Sequence, residues 1–305
     1  MQYNFIEWIR VINRFLLQII RISNRKGAIY MKKTIAALLA VAALTGCADR
    51  PVDRPDIPQQ TQTAQTARHE RQADAKKQDV SRLSREKIGF GCGVQKDEKN
   101  RTTGALDFNS RYGQFNAKAI NTDDKKITLT FDQGYENGYT AKILDTLKEK
   151  HVKAVFFLLK DYAEKNPELV KRMIAEGHTI GNHSVHHYSM PTLDDKTCES
   201  EITDMHKYIK DNFGCEMTLF RPPMGEFSEA SLAVTDSCGY KTVMWSFAYA
   251  DWDTQKQPDP AASEKKLVDA AHEGAIYLLH SVSKTNADIL GSVIDGIRAK
   301  GFEFN

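Results

Sequence analysis

The sequence predicts an α/β fold: a distorted (β/α) barrel of about seven parallel strands with helices outside, preceded by a disordered tether. Three observations predict it. From residue 127 onward, short apolar or β-branched runs alternate with amphipathic helical patterns. Polar side chains capable of chemistry recur at the carboxyl ends of those runs, the end at which parallel barrels carry their sites. Before about residue 86 the composition is instead rich in Pro, Gln, Thr, Ala and Lys and lacks apolar periodicity.

The totals exclude some classes. Of 305 residues, 41% are hydrophobic and 27% charged, which suits a soluble globular core. The formal charge of +2 misleads, because the first 47 residues hold seven basic side chains and one acid. Without them 35 basic and 39 acidic residues remain, a formal charge of −4, and no basic run interleaves with aromatics, so no nucleic-acid partner is expected.

Residues 31–47, MKKTIAALLAVAALTGC, place two lysines before a short apolar run that ends in small residues, the anatomy of a secretory signal. The run is too short to span a bilayer, and Leu44-Thr45-Gly46-Cys47 resembles a lipobox. The expectation is an extracytoplasmic lipoprotein of the cell envelope, anchored to a membrane through lipid on Cys47; a simple cleaved signal or a buried helix is the alternative. Residues 1–30 read as upstream read-through, with Met31 as the start, or as a basic amphipathic segment. Residues 48–86 form a flexible linker.

Cys92, Cys198, Cys215 and Cys238 show no CxxC spacing, which argues against a zinc–thiolate site. Export permits disulfides. Cys215 and Cys238 each precede a predicted strand and are expected near one another. A helix of roughly 25 Å, at about 1.5 Å per residue, separates Cys198 from Cys215, and free thiols are the plain alternative.

The strand beginning at Ile127 alternates Leu129 and Phe131 with Thr128 and Thr130 and ends at Asp132, before Gln133-Gly134. Asp132 is either a catalytic acid at a strand end or a turn residue. Helices are then expected over 141–150, 167–176, 194–213, 228–238, 264–272 and 286–300. Strands are expected over 154–159, 179–183, 217–220, 242–246 and 275–280. The chain stops at Asn305 inside a predicted last strand, which leaves room for missing C-terminal residues. The strand ends supply His183, His186 and His187, then Arg221 before Pro222-Pro223, then Asp251-Trp252, then His280. His183 and His187 are four apart, so one helical turn would put both imidazoles on one side, a spacing that suits a divalent metal. Arg221 is a surface charge or, fixed by the two prolines, a bidentate carboxylate clamp. Asp251 alone could cap a turn, Trp252 could be core, and His280 after an apolar run could be a satisfied core histidine. Five such groups on one rim outweigh those readings taken singly.

The motifs TFDQG, HSVHH, RPPMG, Asp251-Trp252 and LLH (278–280) resemble the five motifs of the NodB-homology polysaccharide deacetylases, carbohydrate esterase family four, across residues from about 120 to 305. Within the family the likeness is strongest to the delta-lactam-biosynthetic, or muramic acid, de-N-acetylases, through FDQGYENGYT, WSFAYADW and GAIYLLHSVSKTNA. Residues 87–120, with Gly89-Phe90-Gly91 and Tyr112-Gly113, resemble that subgroup's N-terminal extension, leaving 121–305 as the deacetylase domain. The resemblance implies hydrolysis of an N-acetyl amide with Asp132 as general base, Arg221 holding it, His280 as general acid and Asp251 orienting the acid. It implies a divalent metal on His183 and His187, zinc first and cobalt or manganese next, with Gln133 where the wider family has an Asp ligand. A neutral amide oxygen is a weaker ligand than a carboxylate. Met224, in place of the usual aromatic, would offer its backbone N–H to the oxyanion. Tyr135, Gly225, Trp252 and Leu278 would complete the substrate pocket. The implied substrate is the glycan strand of peptidoglycan, N-acetylmuramic acid in particular, with an amidase acting upstream. The alternatives are a deacetylase of N-acetylglucosamine or chitooligosaccharides and a non-catalytic glycan-binding lipoprotein.

Overall fold

The computed structural model describes residues 79–305. Among them the chain runs β1 (Ile88–Gly89), α1 (Thr103–Tyr112), β2 (Ala117–Lys118), β3 (Thr128–Gln133), α2 (Thr140–Glu149) and β4 (Ala154–Leu158). It continues through α3 (Lys160–Lys165), α4 (Pro167–Ala175), β5 (Thr179–Asn182), α5 (Asp195–Phe213), β6 (Leu219–Phe220), β7 (Glu226–Phe227) and α6 (Glu229–Ser237). It ends with β8 (Lys241–Val243), β9 (Phe247–Ala248), α7 (Pro260–Asp269), β10 (Ile276–His280) and α8 (Lys284–Ala299). The expected signal, Cys47 and the linker as far as residue 78 lie outside the described residues.

One eight-stranded sheet has the order β2-β8-β6-β5-β4-β3-β10-β9, and every neighbouring pair in it is parallel. β1 and β7 make a separate antiparallel ribbon. The central strands are buried on both faces, β4 without exception, as expected of parallel strands covered by helices. Leu129 and Phe131 face the helices together with Ile143, Leu144 and Leu147 of α2 and Ile289, Leu290 and Val293 of α8. Val155, Phe157, Val243 and Ile276 fill the inside of the curl.

The curl explains a departure from the sequence reading. The single strand expected over 242–246 is two short ones: β8 beside β6 near one edge, and β9 beside β10 at the other. Four residue steps at about 3.5 Å each span at most ~14 Å, so the two edges face one another across that crossing. Met244 N donates to Lys118 O (2.8 Å) and Ser246 N to Ile276 O (2.9 Å), stitching both edges to it. The result is a curled half-barrel of eight strands.

Capping sets the helix starts; the helix expected over 264–272 runs instead over Pro260–Asp269, because Asp259 accepts from Ala262 N. Asp194 accepts from Thr197 N at the start of α5, and Ser228 and Ser231 form a capping box at the start of α6. Residues 79–86, assigned to the linker by composition, belong to the packed part. Val80 lies against the core, Ala230 N donates to Ser84 O, and Arg85 pairs with Asp195. Composition cannot register such contacts, because their partners are more than 100 residues away. The segment 88–120 buries Phe108, Tyr112 and Phe115 against Phe227, with Phe90 edge-on to Trp245. Phe304 bridges in parallel to Ile127 at the start of β3. Cys92, Cys198, Cys215 and Cys238 are all free thiols, and Cys215 and Cys238 border the same core cluster as Cys198.

Candidate active site

Asp132 and His280 are register neighbours at the carboxyl ends of adjacent strands, β3 and β10. Side chains alternate across a strand, so Thr130 and Asp132 point into the curl while Phe131 points to the helices. Arg221, at 0% exposure, occupies the middle of the curl. Its Nη1 donates to Asp132 Oδ1 (2.8 Å) and Thr130 Oγ1 (2.7 Å), Nε to Val243 O (2.9 Å) and Nη2 to Met244 O (3.0 Å). The guanidinium also sits 4.2 Å over the Phe157 ring. A buried cation needs such complete pairing. Burial pushes the Asp132 carboxyl up, but Arg221, His183 and His280 together outweigh it and hold it below the ordinary carboxylate range.

The histidine pair comes together by a route other than a helical turn. Residues 183–187 form a loop in which Ser184 (φ 78°) and His187 (φ 60°) are left-handed. Asn182 Oδ1 accepts from Ser184 N (2.9 Å), and Ser184 Oγ accepts from His187 N (3.0 Å). Glu201, buried on α5, accepts from Val185 N (3.0 Å) and His186 N (2.8 Å) and meets His186 Nδ1. These bonds stabilise a backbone that non-glycine residues seldom adopt. The His183 and His187 ring centroids stand 5.0 Å apart. His183 Nδ1 donates to Arg221 O (2.8 Å), which leaves Nε2 free toward Asp132 Oδ2, 3.8 Å away. Burial lowers the His183 pKa to about 4 and depresses that of His187, so both imidazoles are neutral near pH 7.

Two neutral imidazoles with a carboxylate beside them fit a divalent metal with open positions. Among the described residues no group of three His, Cys, Asp or Glu side chains forms a ready-made cage. Gln133 is not brought to the pair. The pleat turns it to the face opposite Asp132, where its Nε2 donates to Ser281 Oγ and its buried Oε1 has no partner. The spacing TFDQG does not reveal which of two consecutive strand-end residues faces inward.

On the other wall, His280 N donates to Asp251 Oδ2 (2.8 Å) and His280 Nδ1 to Asp251 Oδ1 (2.7 Å). Burial opposes the charged imidazole, yet Asp251, with Asp132 behind it, raises the His280 pKa above its ordinary value. An acid and a base of separated pKa therefore face one cleft of about 900 Å³. Tyr135, Trp252, Leu278, Met224 and Gly225 line it as expected, with Trp245 and Tyr249, which sequence reasoning missed. Met224 (φ 58°) and Gly225 (φ 65°) are both left-handed, and a Cβ on Gly225 would lie 2.6 Å from Trp245. Glu201 was also missed. A carboxylate within the apolar stripe Cys198, Ile202, Met205 was the available signal. A second cavity, about 530 Å³, opens at the amino ends of the strands around Lys118, Asn121 and Lys241, away from the acid and base.

Residues 119–243 match the polysaccharide deacetylase family model. The peptidoglycan-N-acetylmuramic acid deacetylase PdaA of Bacillus subtilis is 42% identical over 185 residues, 60% of this chain and 70% of that protein. The chain belongs to the polysaccharide deacetylase family. A Geobacillus stearothermophilus protein of 30.6 kDa, described as uncharacterized, is 40% identical over 215 residues, 70% of this chain and 81% of that one. The structure of Bacillus subtilis PdaA, a family 4 carbohydrate esterase, superposes with TM-score 0.69 at 37% identity, covering 73% of this chain and 96% of that one. This polysaccharide deacetylase is therefore a hydrolase of amide bonds, and each of its five motifs contributes residues to the cleft or to the groups that brace it.

Proposed function

We propose that this deacetylase removes the acetyl group from N-acetylmuramic acid in peptidoglycan, preparing the freed amine for delta-lactam formation. The observation that carries the reading is the register pairing of Asp132 with His280, each charged for its task by a separate buried partner. The 42% identity to a protein named as a muramic acid deacetylase supports the choice of sugar.

Asp132, ionised and held by Arg221, accepts the proton of the attacking water. His280, protonated and oriented by Asp251, gives its Nε2 proton to the departing amine. Leu278 and Trp245 shape the space for the acetyl methyl, with Trp252, 57% exposed, at its rim. A divalent metal held by His183 and His187, zinc by preference for two imidazoles, would polarise the amide carbonyl and acidify the water. The same reading puts the domain outside the cytoplasm, tethered by lipid on Cys47, downstream of an amidase that strips the stem peptides.

The test is mass spectrometry of peptidoglycan treated with the purified protein. Intact and amidase-stripped glycan are compared, each with added zinc and with chelator. Loss of one acetyl from muramic residues of stripped glycan, abolished by chelator and by Asp132→Asn, is the expected result. Loss from glucosamine residues alone would transfer the activity to that sugar.

A further inference from the structure

The acid is braced by two side chains to which no role has been given. Asn286, in the first turn of α8, is only 2% exposed. Its Nδ2 donates to Asp251 Oδ2 (2.6 Å) and to His280 O (3.1 Å). Its Oδ1 accepts from the Tyr249 hydroxyl. Asp251 Oδ2 and His280 O can only accept, so they define which end of the amide faces them, and Oδ1 is left to take the Tyr249 O–H; a flipped amide would set Oδ1 against both acceptors. Asp251 Oδ2 thus receives two N–H donors, from His280 N and Asn286, and Oδ1 is left for the imidazole. The carboxylate cannot rotate about its own axis without breaking one of these bonds. Ser283 Oγ accepts from Asn286 N (3.2 Å), so the helix start is placed by the same turn that follows His280.

We infer that Asn286 is a positioning residue for the general acid and that the Tyr249 hydroxyl, donating to its Oδ1, holds the amide in place. The continuous chain Tyr249 to Asn286 to Asp251 to His280 determines where the acid's proton points. The inference rests on the deacetylase reading for the role of His280, but its geometry does not. The charged groups facing His280 are Asp251 from the 249–252 loop, Asp132 from β3 and Arg221 from the loop after β6, with the Trp252 ring 6.0 Å away. None of these is altered by changing Asn286 or Tyr249.

The experiment compares wild type, Asn286→Ala and Tyr249→Phe by three readouts: kcat and KM on stripped glycan, the alkaline limb of the pH–rate profile, and His280 titration by NMR without substrate. With Asp251 free to turn away, Asn286→Ala is expected to lower kcat about 10- to 100-fold with KM within about threefold, the scale of losing one orienting contact. The His280 titration and the alkaline limb are both expected to move to lower pH. Tyr249→Phe, which removes one oxygen, is expected to do the same to a smaller extent and decides the matter if Asn286→Ala fails to fold. Folded variants with lowered Tm but an unmoved His280 titration would reduce Asn286 to a structural role and overturn the inference. Absence of turnover in the wild type, with the NMR shift intact, would strike the proposed function instead.

Discussion

Arg221 and Asp132, 89 positions apart in sequence, form a 2.8 Å ion pair in which the arginine is entirely buried and the carboxylate nearly so. Removing the arginine would strand a buried carboxylate. Arg221→Ala is expected to cost about 3–5 kcal/mol of folding stability, measured by chemical denaturation, and to abolish turnover. Arg221→Lys keeps the charge but cannot reach Asp132, Thr130, Val243 O and Met244 O together, so it should recover little of either. Wild-type stability in Arg221→Ala would show that the pair does not hold the interior.

Glu201 anchors the loop that carries both histidines. Glu201→Ala removes the oxygen that accepts two backbone N–H groups, at an expected cost of about 1–3 kcal/mol. The histidines should also lose register, weakening zinc binding about 10- to 100-fold in a chelator competition. Equal zinc affinity in the two proteins would mean that Asn182 and Ser184 hold the loop without it.

Gly181 of β5 leaves no room for a side chain. A Cβ there would meet Phe157 Cδ1 at 2.4 Å, and Phe157 is the ring on which Arg221 rests. Gly181→Ala is expected to cost about 1–3 kcal/mol by overpacking and to reduce kcat by displacing the Arg221 fork. Unchanged melting and turnover would show that the ring yields freely.

His178 predicts a pH dependence of stability. Its Nδ1 accepts from Ala154 N at 3.2 Å. Burial, aided by Lys153, lowers its pKa to about 4, against 6.5 ordinarily. Between those values the unfolded chain binds more protons than the folded one, so stability present above pH 6.5 is lost as pH falls toward 4. At 1.36 kcal/mol per pKa unit the loss is at most about 3 kcal/mol. In His178→Asn, whose Oδ1 can take the Ala154 bond, the decline in stability between pH 7 and 5 should shrink. An identical decline would assign it to His183 and the other buried groups.

Much of the architecture was legible locally. The period-2 run ending at Asp132 and the helix starts near 194 and 228 are short-range features, and so is the recurrence of His183, Arg221, Asp251 and His280 after successive strands. Residues at most a helical turn apart determine them, and parallel βα order then brings the strand ends to one rim. The residue types needed for an acid, a base and a pair of imidazoles were therefore readable from the chain alone.

What only the tertiary structure decided depends on partners distant in sequence. The pleat, in register with β10, turned Gln133 away from the cleft while Asp132 faced it. The curl of the sheet divided the strand expected at 242–246 between two edges. Glu201, 15 or more positions from the loop it braces, brought His183 and His187 together without a helix. Asn286, 35 positions beyond Asp251, gave the acid its orientation. Local periodicity specifies which face a residue takes within its own element. Which buried polar group meets which is decided when the elements close over one another and each must find its hydrogen bond.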